Sequence, residues 1–354
     1  MKRSFALSAL FATLVACSGP TSLPRAEASP ELIEGIQAFK DSAAVKMLAP
    51  ATFEKGDNLH SIMVVKDGAV IYEEYFGDWS ADKPHTMFSV SKTFTATAVG
   101  LAISEGKMTL EDKVADYFPD KQVEGNPCEA TVEDLLMMAG GHDSDPTYKV
   151  LGRDNKNIQS VLGEGADIAA AFFAHPFVHK PGTTFRYNSL GSYILSAIVT
   201  KVTGESVLDY LTPRLFEPLG IDKPEWDADA DGVSCGGWGL HLKTEDMAKM
   251  GLLMLQKGRW GRRQLVPAEW METMGAKHID NCPPGLDQKY MNDWTMGYGY
   301  QTWRNVTEGF RADGAGGQFI FVLPSKNAVI VLTAWTANTA NELSLFREHI
   351  YPYL

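Results

Sequence analysis

Ser89 and Lys92 stand three residues apart in Ser89-Val90-Ser91-Lys92, a spacing at which one helical turn sets a lysine amine against a serine hydroxyl. A serine so placed attacks a carbonyl carbon when the lysine takes its proton. The pattern S-x-x-K is weak alone, because about one match is expected by chance in a chain of this composition. Ser104-Glu105-Gly106-Lys107 is indeed a second match. There Gly106 interrupts the turn, so Lys107 is not held on the face of Ser104. Ser89 instead opens a predicted helix, where free N–H groups and the helix dipole favour an alkoxide or an oxyanion. The lysine must be neutral to act as a base, which burial beside cations or apolar groups would achieve.

Two further motifs supply what a Ser-Lys pair lacks. A proton has to reach the leaving atom, and Tyr187 in Tyr187-Asn188-Ser189 is the candidate relay, following the turn Pro181-Gly182 and preceding a helix from Leu190. Ala312-Asp313-Gly314-Ala315-Gly316-Gly317-Gln318 is glycine-rich and leads into a strand. Its glycines let a substrate lie against a strand edge and let a backbone N–H face an oxyanion, which makes Gly314, Ala315 and Gly316 expected substrate-binding residues; Ser189, whose side chain could point into the same place from the tyrosine motif, is a further candidate.

The elements that must position these residues come from both ends of the chain. Ser61–Lys66 and Ala69–Phe76 are strand-like and separated by Asp67-Gly68, a two-residue hairpin signal. Phe319–Leu323 and Ala328–Trp335 repeat the pattern, and Tyr298–Trp303 is read as a fifth strand. Short hairpins are not stable alone, so one antiparallel five-stranded sheet assembled from both termini is expected, flanked by helices. Helical spacing runs over Ser91–Glu105, Val132–Ala139, Ile168–Phe173, Leu190–Val202, Thr244–Gln256 and Asn338–His349. The fold class is thus α/β plus all-α, with residues 51–106 and 291–354 forming the sheet domain and 107–290 a large, mostly helical insertion.

Strand hairpin, S-x-x-K helix, tyrosine motif within a helical insertion, then a glycine turn before closing strands: this order resembles the serine β-lactamase and penicillin-binding-protein superfamily. The likeness runs from about residue 55 to the end and includes Gly236-Gly237-Trp238-Gly239-Leu240. It implies a site between the two parts, Ser89 as nucleophile, Lys92 as base, Tyr187 as acid/base, and an oxyanion hole from the N–H groups of Ser89 and a residue near Ala315. Two departures stand out. Ser189 occupies the third position of the tyrosine motif, where class C β-lactamases carry asparagine, and this pattern is more similar to 6-aminohexanoate-dimer hydrolases. Ala312-Asp313-Gly314 stands where lactamases carry Lys-Thr-Gly, and an aspartate would repel the carboxylate that the lysine helps to hold, unless Arg311 or Arg186 compensates.

Other motifs lack their context. Gly232-Val233-Ser234-Cys235-Gly236 matches G-x-S-x-G, but no strand and helix flank it. Asp227–Gly232 opens like a calcium loop, yet Trp238 stands where the loop needs glutamate. His85 is as well explained as a structural hydrogen-bond partner as by a Ser-His arrangement. No motif calls for a cofactor or metal.

Composition narrows the partners. A net charge of −12 and no clustered Lys/Arg surplus argue against nucleic acid. Residues 1–16 begin with Lys2-Arg3 and continue with an apolar run, Phe5–Val15, too short to span a bilayer, which marks an export signal. The run ends in Leu14-Val15-Ala16-Cys17, which resembles a bacterial lipobox, implying acylation of Cys17 and attachment to a membrane surface. Ser18 follows, so the anchor is expected in an outer membrane, facing the periplasm, with residues 17–50 as tether and N-terminal segment. Cys128, Cys235 and Cys282 are an odd set, and the sequence does not choose a disulfide among them. The expected activity is hydrolysis of a small ester or amide through an acyl-enzyme on Ser89. A β-lactamase, a D-alanyl carboxypeptidase acting on cell-wall peptides, and a non-catalytic binding protein of the same fold are the alternatives.

Overall fold

The computed structural model describes residues 22–41, 58–121, 125–145, 147, 167–283, 285–287, 291–336 and 339–354. The export signal and Cys17 lie outside them. Helix α1, Pro30–Asp41, buries Leu32, Ile36 and Phe39, spaced so that they share one face. Strands β1, Asn58–Lys66, and β2, Ala69–Tyr75, form the first hairpin. At its turn Asp67 and Gly68 both take positive φ, 51° and 83°, the conformation that Asp-Gly accepts at low cost. Residues 22–28 are not a free linker: Leu23 is buried, and the chain bridges Val70 on β2 at Arg25.

Helix α2, Ser91–Ser104, follows a short 3-10 turn, Phe88–Val90, and is buried on nearly every side, as its apolar and small residues all round allow. Helix α3, Ser189–Thr203, packs along it. Helix α4, Thr244–Leu255, lies across the sheet, where Gly251 lets it approach Val329 and Ile320; a Cβ there would stand 2.4 Å from Val329 Cγ1. Residues 244–255 therefore pack with the sheet, although they fall inside the 107–290 insertion expected from the sequence.

The closing strands are β3, Trp303–Arg304, β4, Phe310–Gly314, β5, Gln318–Leu323, and β6, Ala328–Trp335. The sheet has six strands, not five, in the order β2-β1-β6-β5-β4-β3, and every pairing is antiparallel. Tyr298–Trp303 is not the fifth strand; Tyr298 makes isolated bridges to Ile279 and Trp303. The strand overlooked is β4, because Phe-Arg-Ala-Asp-Gly reads as polar turn sequence. Arg311 and Asp313, two residues apart, project from the same face and form an ion pair at 2.8 Å, which lets both charges enter the sheet.

Alternation along the strands builds two cores. Ile62, Val64, Phe319, Phe321, Ile330 and Leu332 pack against α1 and the C-terminal helical stretch around Leu343, Leu345 and Phe346. Met63, Val65, Ile320, Val322, Val329 and Val331 face α2, α3 and α4.

Three buried histidines carry a pH cost. Burial lowers His60 to about 4, His85 to about 3 with its neighbour His60 adding to the effect, and His142 to about 4. An unfolded chain takes up these protons below the ordinary value of 6.5 while the folded protein does not, so their stability contribution is lost as pH falls from 6.5 towards 4. The urea midpoint should drop across that window. It should drop less in His60→Phe, which keeps an aromatic ring on Trp79 without a titrating group.

Candidate active site

Ser89 sits within the 3-10 turn that runs directly into α2, so its backbone is part of a helix start. The preceding residue, Phe88, has φ +46°, a left-handed conformation that a bulky aromatic side chain adopts at an energetic cost. Its ring lies 5.7 Å from that of Trp335 at the end of β6, and this packing holds the turn.

Lys92 is one turn further on, with 1% of its surface exposed. Its Nζ lies 2.9 Å from Ser89 Oγ and donates to the carbonyl of Gly237 at 2.7 Å. Burial pushes the ammonium down to about 7, while the charges of Asp145 and Asp313 act in the opposite direction. Near neutral pH the amine is therefore accessible in its uncharged form, able to accept a proton. The Gly237 carbonyl reaches it only because Gly236-Gly237 slides between helices: a Cβ on Gly236 would stand 2.4 Å from the Ser192 carbonyl oxygen, and one on Gly237 2.6 Å from that of Ser189. Thr95 Oγ1 on α2 fixes the same segment by donating to the Gly236 carbonyl at 2.8 Å.

Tyr187 comes from the insertion. Its ring lies 4.9 Å from Lys92 Nζ and stacks on Trp303 at 5.6 Å. Asn188 explains why the chain turns into α3 at this point: its side chain caps the helix, accepting from the N–H groups of Leu190 and Gly191. Ser189 is the first residue of α3 and is buried, and its Oγ donates to Asp145 Oδ2 at 3.2 Å.

On the other side, β4 ends against the serine turn. A Cβ on Gly314 would stand 2.5 Å from the Met87 carbonyl oxygen, so the residue must be glycine for strand and turn to meet. The chain then reverses through exposed Ala315 and through Gly316 and Gly317, both at positive φ, 77° and 94°. Ser89, Lys92, Tyr187 and the turn after Gly314 thus come together around the start of α2.

Asp313, the residue before Gly314, is paired. Arg311 donates to Oδ2 through Nε at 3.0 Å and through Nη2 at 2.8 Å, and Trp294 Nε1 donates to the same oxygen at 3.0 Å. Burial raises the Asp313 carboxyl, and the Arg311 pair opposes the rise. Arg311 is spent on Asp313, whereas Arg186 is exposed and donates to the Phe185 carbonyl.

Three contributors escaped the sequence reading. Gly237 lay in a quoted stretch, but nothing there shows that its carbonyl meets Lys92. Trp303 lies in a strand, as expected, but nothing in the sequence shows that Tyr187 stacks on its ring. Asp145 belongs to a loop with no periodicity. Ser234 of the G-x-S-x-G match is buried and structural: its Oγ accepts from the Leu208 N–H, and its carbonyl accepts from Ser196. Asp229 Oδ1 accepts from the backbone N–H groups of Asp231 and Val233, tying the acidic turn to itself. His85 is buried and meets Thr333 at 3.5 Å. Among the described residues no disulfide joins Cys128, Cys235 or Cys282.

The chain belongs to the beta-lactamase family, whose model matches residues 60–348. It is similar to the 6-aminohexanoate-dimer hydrolase of Paenarthrobacter ureafaciens, 26% identical over 285 residues that make up 78% of this chain and 72% of that one. The octameric penicillin-binding protein homologue from Pyrococcus abyssi shares the fold, with a TM-score of 0.67 and 22% identity over 90% of this chain and 79% of that one. A family VIII carboxylesterase does so with a TM-score of 0.65 and 16% identity, covering 93% of this chain and 99% of the other. The fold is that of the serine β-lactamases, and the family includes hydrolases.

Removing one member of the Arg311–Asp313 pair leaves a buried charge behind. Arg311→Met should destabilise the protein by about 3–5 kcal/mol in urea unfolding. Adding Asp313→Leu should recover much of that loss, and an equally unstable double variant would show that packing, not the unpaired charge, sets the cost.

Proposed function

We propose that this protein is a serine hydrolase that cleaves small esters or linear amides by acyl transfer through Ser89. The observation that carries the reading is the buried Lys92 amine at 2.9 Å from Ser89 Oγ. When Lys92 is neutral, the hydroxyl donates across this contact to the amine lone pair, and Oγ attacks the substrate carbonyl carbon as the proton passes to Nζ. The oxyanion that forms is held by backbone N–H groups at the start of α2 and in the Ala315 turn. Tyr187, beside Lys92, carries a proton to the leaving oxygen or nitrogen as the tetrahedral carbon collapses to the Ser89 ester. Water then attacks that ester and frees the acid, and Oγ regains its proton.

Esters and linear amides are favoured over β-lactams because the segment Ala312-Asp313-Gly314 offers no free cation. Arg311 is neutralised by Asp313, so a drug carboxylate finds an already satisfied pair. The amide relative named as a 6-aminohexanoate-dimer hydrolase and the carboxylesterase fold neighbour support the same preference.

Ser89→Ala should lower ester turnover by at least about a thousandfold, and a fluorophosphonate should add its mass to Ser89 in the folded protein. Lack of an adduct would leave only a binding role for this fold. The value of kcat/KM should rise with pH through about 7, because Lys92 acts deprotonated and its ammonium is restored below that point. Lys92→Arg should be as inactive as Lys92→Ala, since guanidinium stays charged. Cephalosporin turnover faster than ester and amide turnover, or release of D-alanine from muropeptides at a higher rate, would assign the site to one of those substrates instead.

Export and acylation on Cys17 complete the proposal, supported by the basic start, the apolar run and Leu14-Val15-Ala16-Cys17. Labelled palmitate should enter the expressed wild-type chain and not Cys17→Ala, with the variant released from the membrane fraction.

A further inference from the structure

The basic run Arg262-Arg263 takes no part in the chemistry at Ser89. It belongs to a hairpin directly after α4, in which Arg259–Trp260 pairs with Arg263–Gln264. Gly261 takes φ 58° at the first position of the two-residue turn, where a glycine closes a hairpin at low cost. The base is fixed as well. A Cβ on Gly258 would stand 2.1 Å from the Val266 carbonyl oxygen, and Gln264 Nε2 donates to the carbonyls of Lys257 at 2.7 Å and Val266 at 2.6 Å. Trp260 packs on the core that α4 shares with the sheet. The hairpin is a rigid mount, and what it holds outward is charge: Arg259, Arg262 and Arg263 are all exposed.

Among the described residues none of these three guanidinium groups makes an ion pair or a hydrogen bond. Residues 244–283, which carry the hairpin and its sequence neighbours, are described without a break. Glu272, on the helix that follows, is engaged by Lys257. Three like charges on one short hairpin repel each other, a cost that an anionic surface removes. They are too few for a nucleic acid, whose binding needs a broader surplus.

The other end of α4 leads to the membrane anchor. Leu23 is buried, its N–H donates to Glu245 Oε1 in the first turn of α4, and Arg25 pairs with Glu245 and Glu73. Cys17 lies only six residues before Leu23, a span of at most about 20 Å. Helix α4 itself is about 18 Å long. A lipid on Cys17 therefore keeps the start of α4 close to the bilayer, and tipping α4 towards the surface brings the hairpin at its far end onto the headgroups.

We propose that this hairpin is a second, electrostatic membrane contact, in which Arg259, Arg262 and Arg263 bind anionic phospholipid headgroups of the leaflet that holds the Cys17 lipid. This rests on the proposed acylation of Cys17 and deepens it. The lipid supplies the apolar hold, and the hairpin fixes how the molecule lies, so that the domain does not swing on its tether.

The test uses the chain from residue 17 onward with Cys17→Ser, which retains every described residue and carries no lipid, so that binding reports the hairpin alone. Its partition onto sedimented vesicles is compared between phosphatidylcholine alone and phosphatidylcholine mixed with phosphatidylglycerol. Binding should require phosphatidylglycerol and vanish at high salt, because screening shortens the reach of exposed charges. Arg259→Gln, Arg262→Gln and Arg263→Gln together should lower the partition about a hundredfold, as expected for three cations at the surface. The same three positions changed to Lys keep the charge and should stay within about threefold of wild type. Lys83→Gln, Lys107→Gln and Lys223→Gln together remove as much charge from exposed positions elsewhere, and should cost less than about threefold. Equal losses in the two glutamine triples would make net charge the cause and overturn the proposal. Absence of wild-type binding, or equal binding to both kinds of vesicle, overturns it too. Retention on heparin without vesicle binding would assign the hairpin to a soluble polyanion, which also contradicts it. Failure of the anchor looks different: labelled palmitate then stays out of the full chain while the unacylated chain still binds the anionic vesicles.

Discussion

Everything in the site depends on keeping a lysine amine dry. Lys92 lies on a helix buried on nearly all sides, and among the described residues its Nζ meets Ser89 Oγ, the Gly237 carbonyl and the Tyr187 ring face. A cation in such a place is costly, and the protein meets the cost by letting the charge go at about pH 7 instead of compensating it fully. The packing that makes this possible is made of small residues. Gly236 and Gly237 thread between α2 and α3 so closely that no side chain fits, and that closeness brings the Gly237 carbonyl onto the amine.

The sheet supplies the opposite wall. Because its strands come from both ends of the chain, β4 and β6 finish beside the turn that carries Ser89, and two contacts fix their distance. Gly314 touches the Met87 carbonyl, and Trp335 packs on Phe88, whose backbone is held in the left-handed region. Strain next to the serine is retained because the surrounding packing leaves Phe88 no alternative. The buried Arg311–Asp313 pair lets β4 run this far inward with its two charges balanced against each other.

The parts legible in the sequence were those governed by local rules. Asp67-Gly68 announced its hairpin because few other pairs accept two positive φ values in succession. The Ser89–Lys92 spacing announced a shared helix face. Tyr187-Asn188-Ser189 announced a helix start, where Asn188 does cap α3. Strand β4 was illegible because its polar residues pair with each other, which makes Arg311 and Asp313 compatible with burial only as a pair. The spacing of Leu32, Ile36 and Phe39 in α1 is present in the sequence but lies in the 17–50 stretch read as tether and N-terminal segment. Gly237 and Asp145 act through tertiary proximity alone, and no local pattern encodes which carbonyl or carboxylate a distant loop will set beside Lys92.

The dryness of Lys92 can be read directly, without any substrate. Carbon-13 labelling of the lysine side chains, with Lys92→Ala used to assign the signal, gives the titration of its Cε by NMR. A midpoint near 7, well below those of the exposed lysines, is the expected result. A midpoint at the ordinary lysine value of about 10.4 would mean that the amine is charged throughout the working range, and it would remove Lys92 as the base.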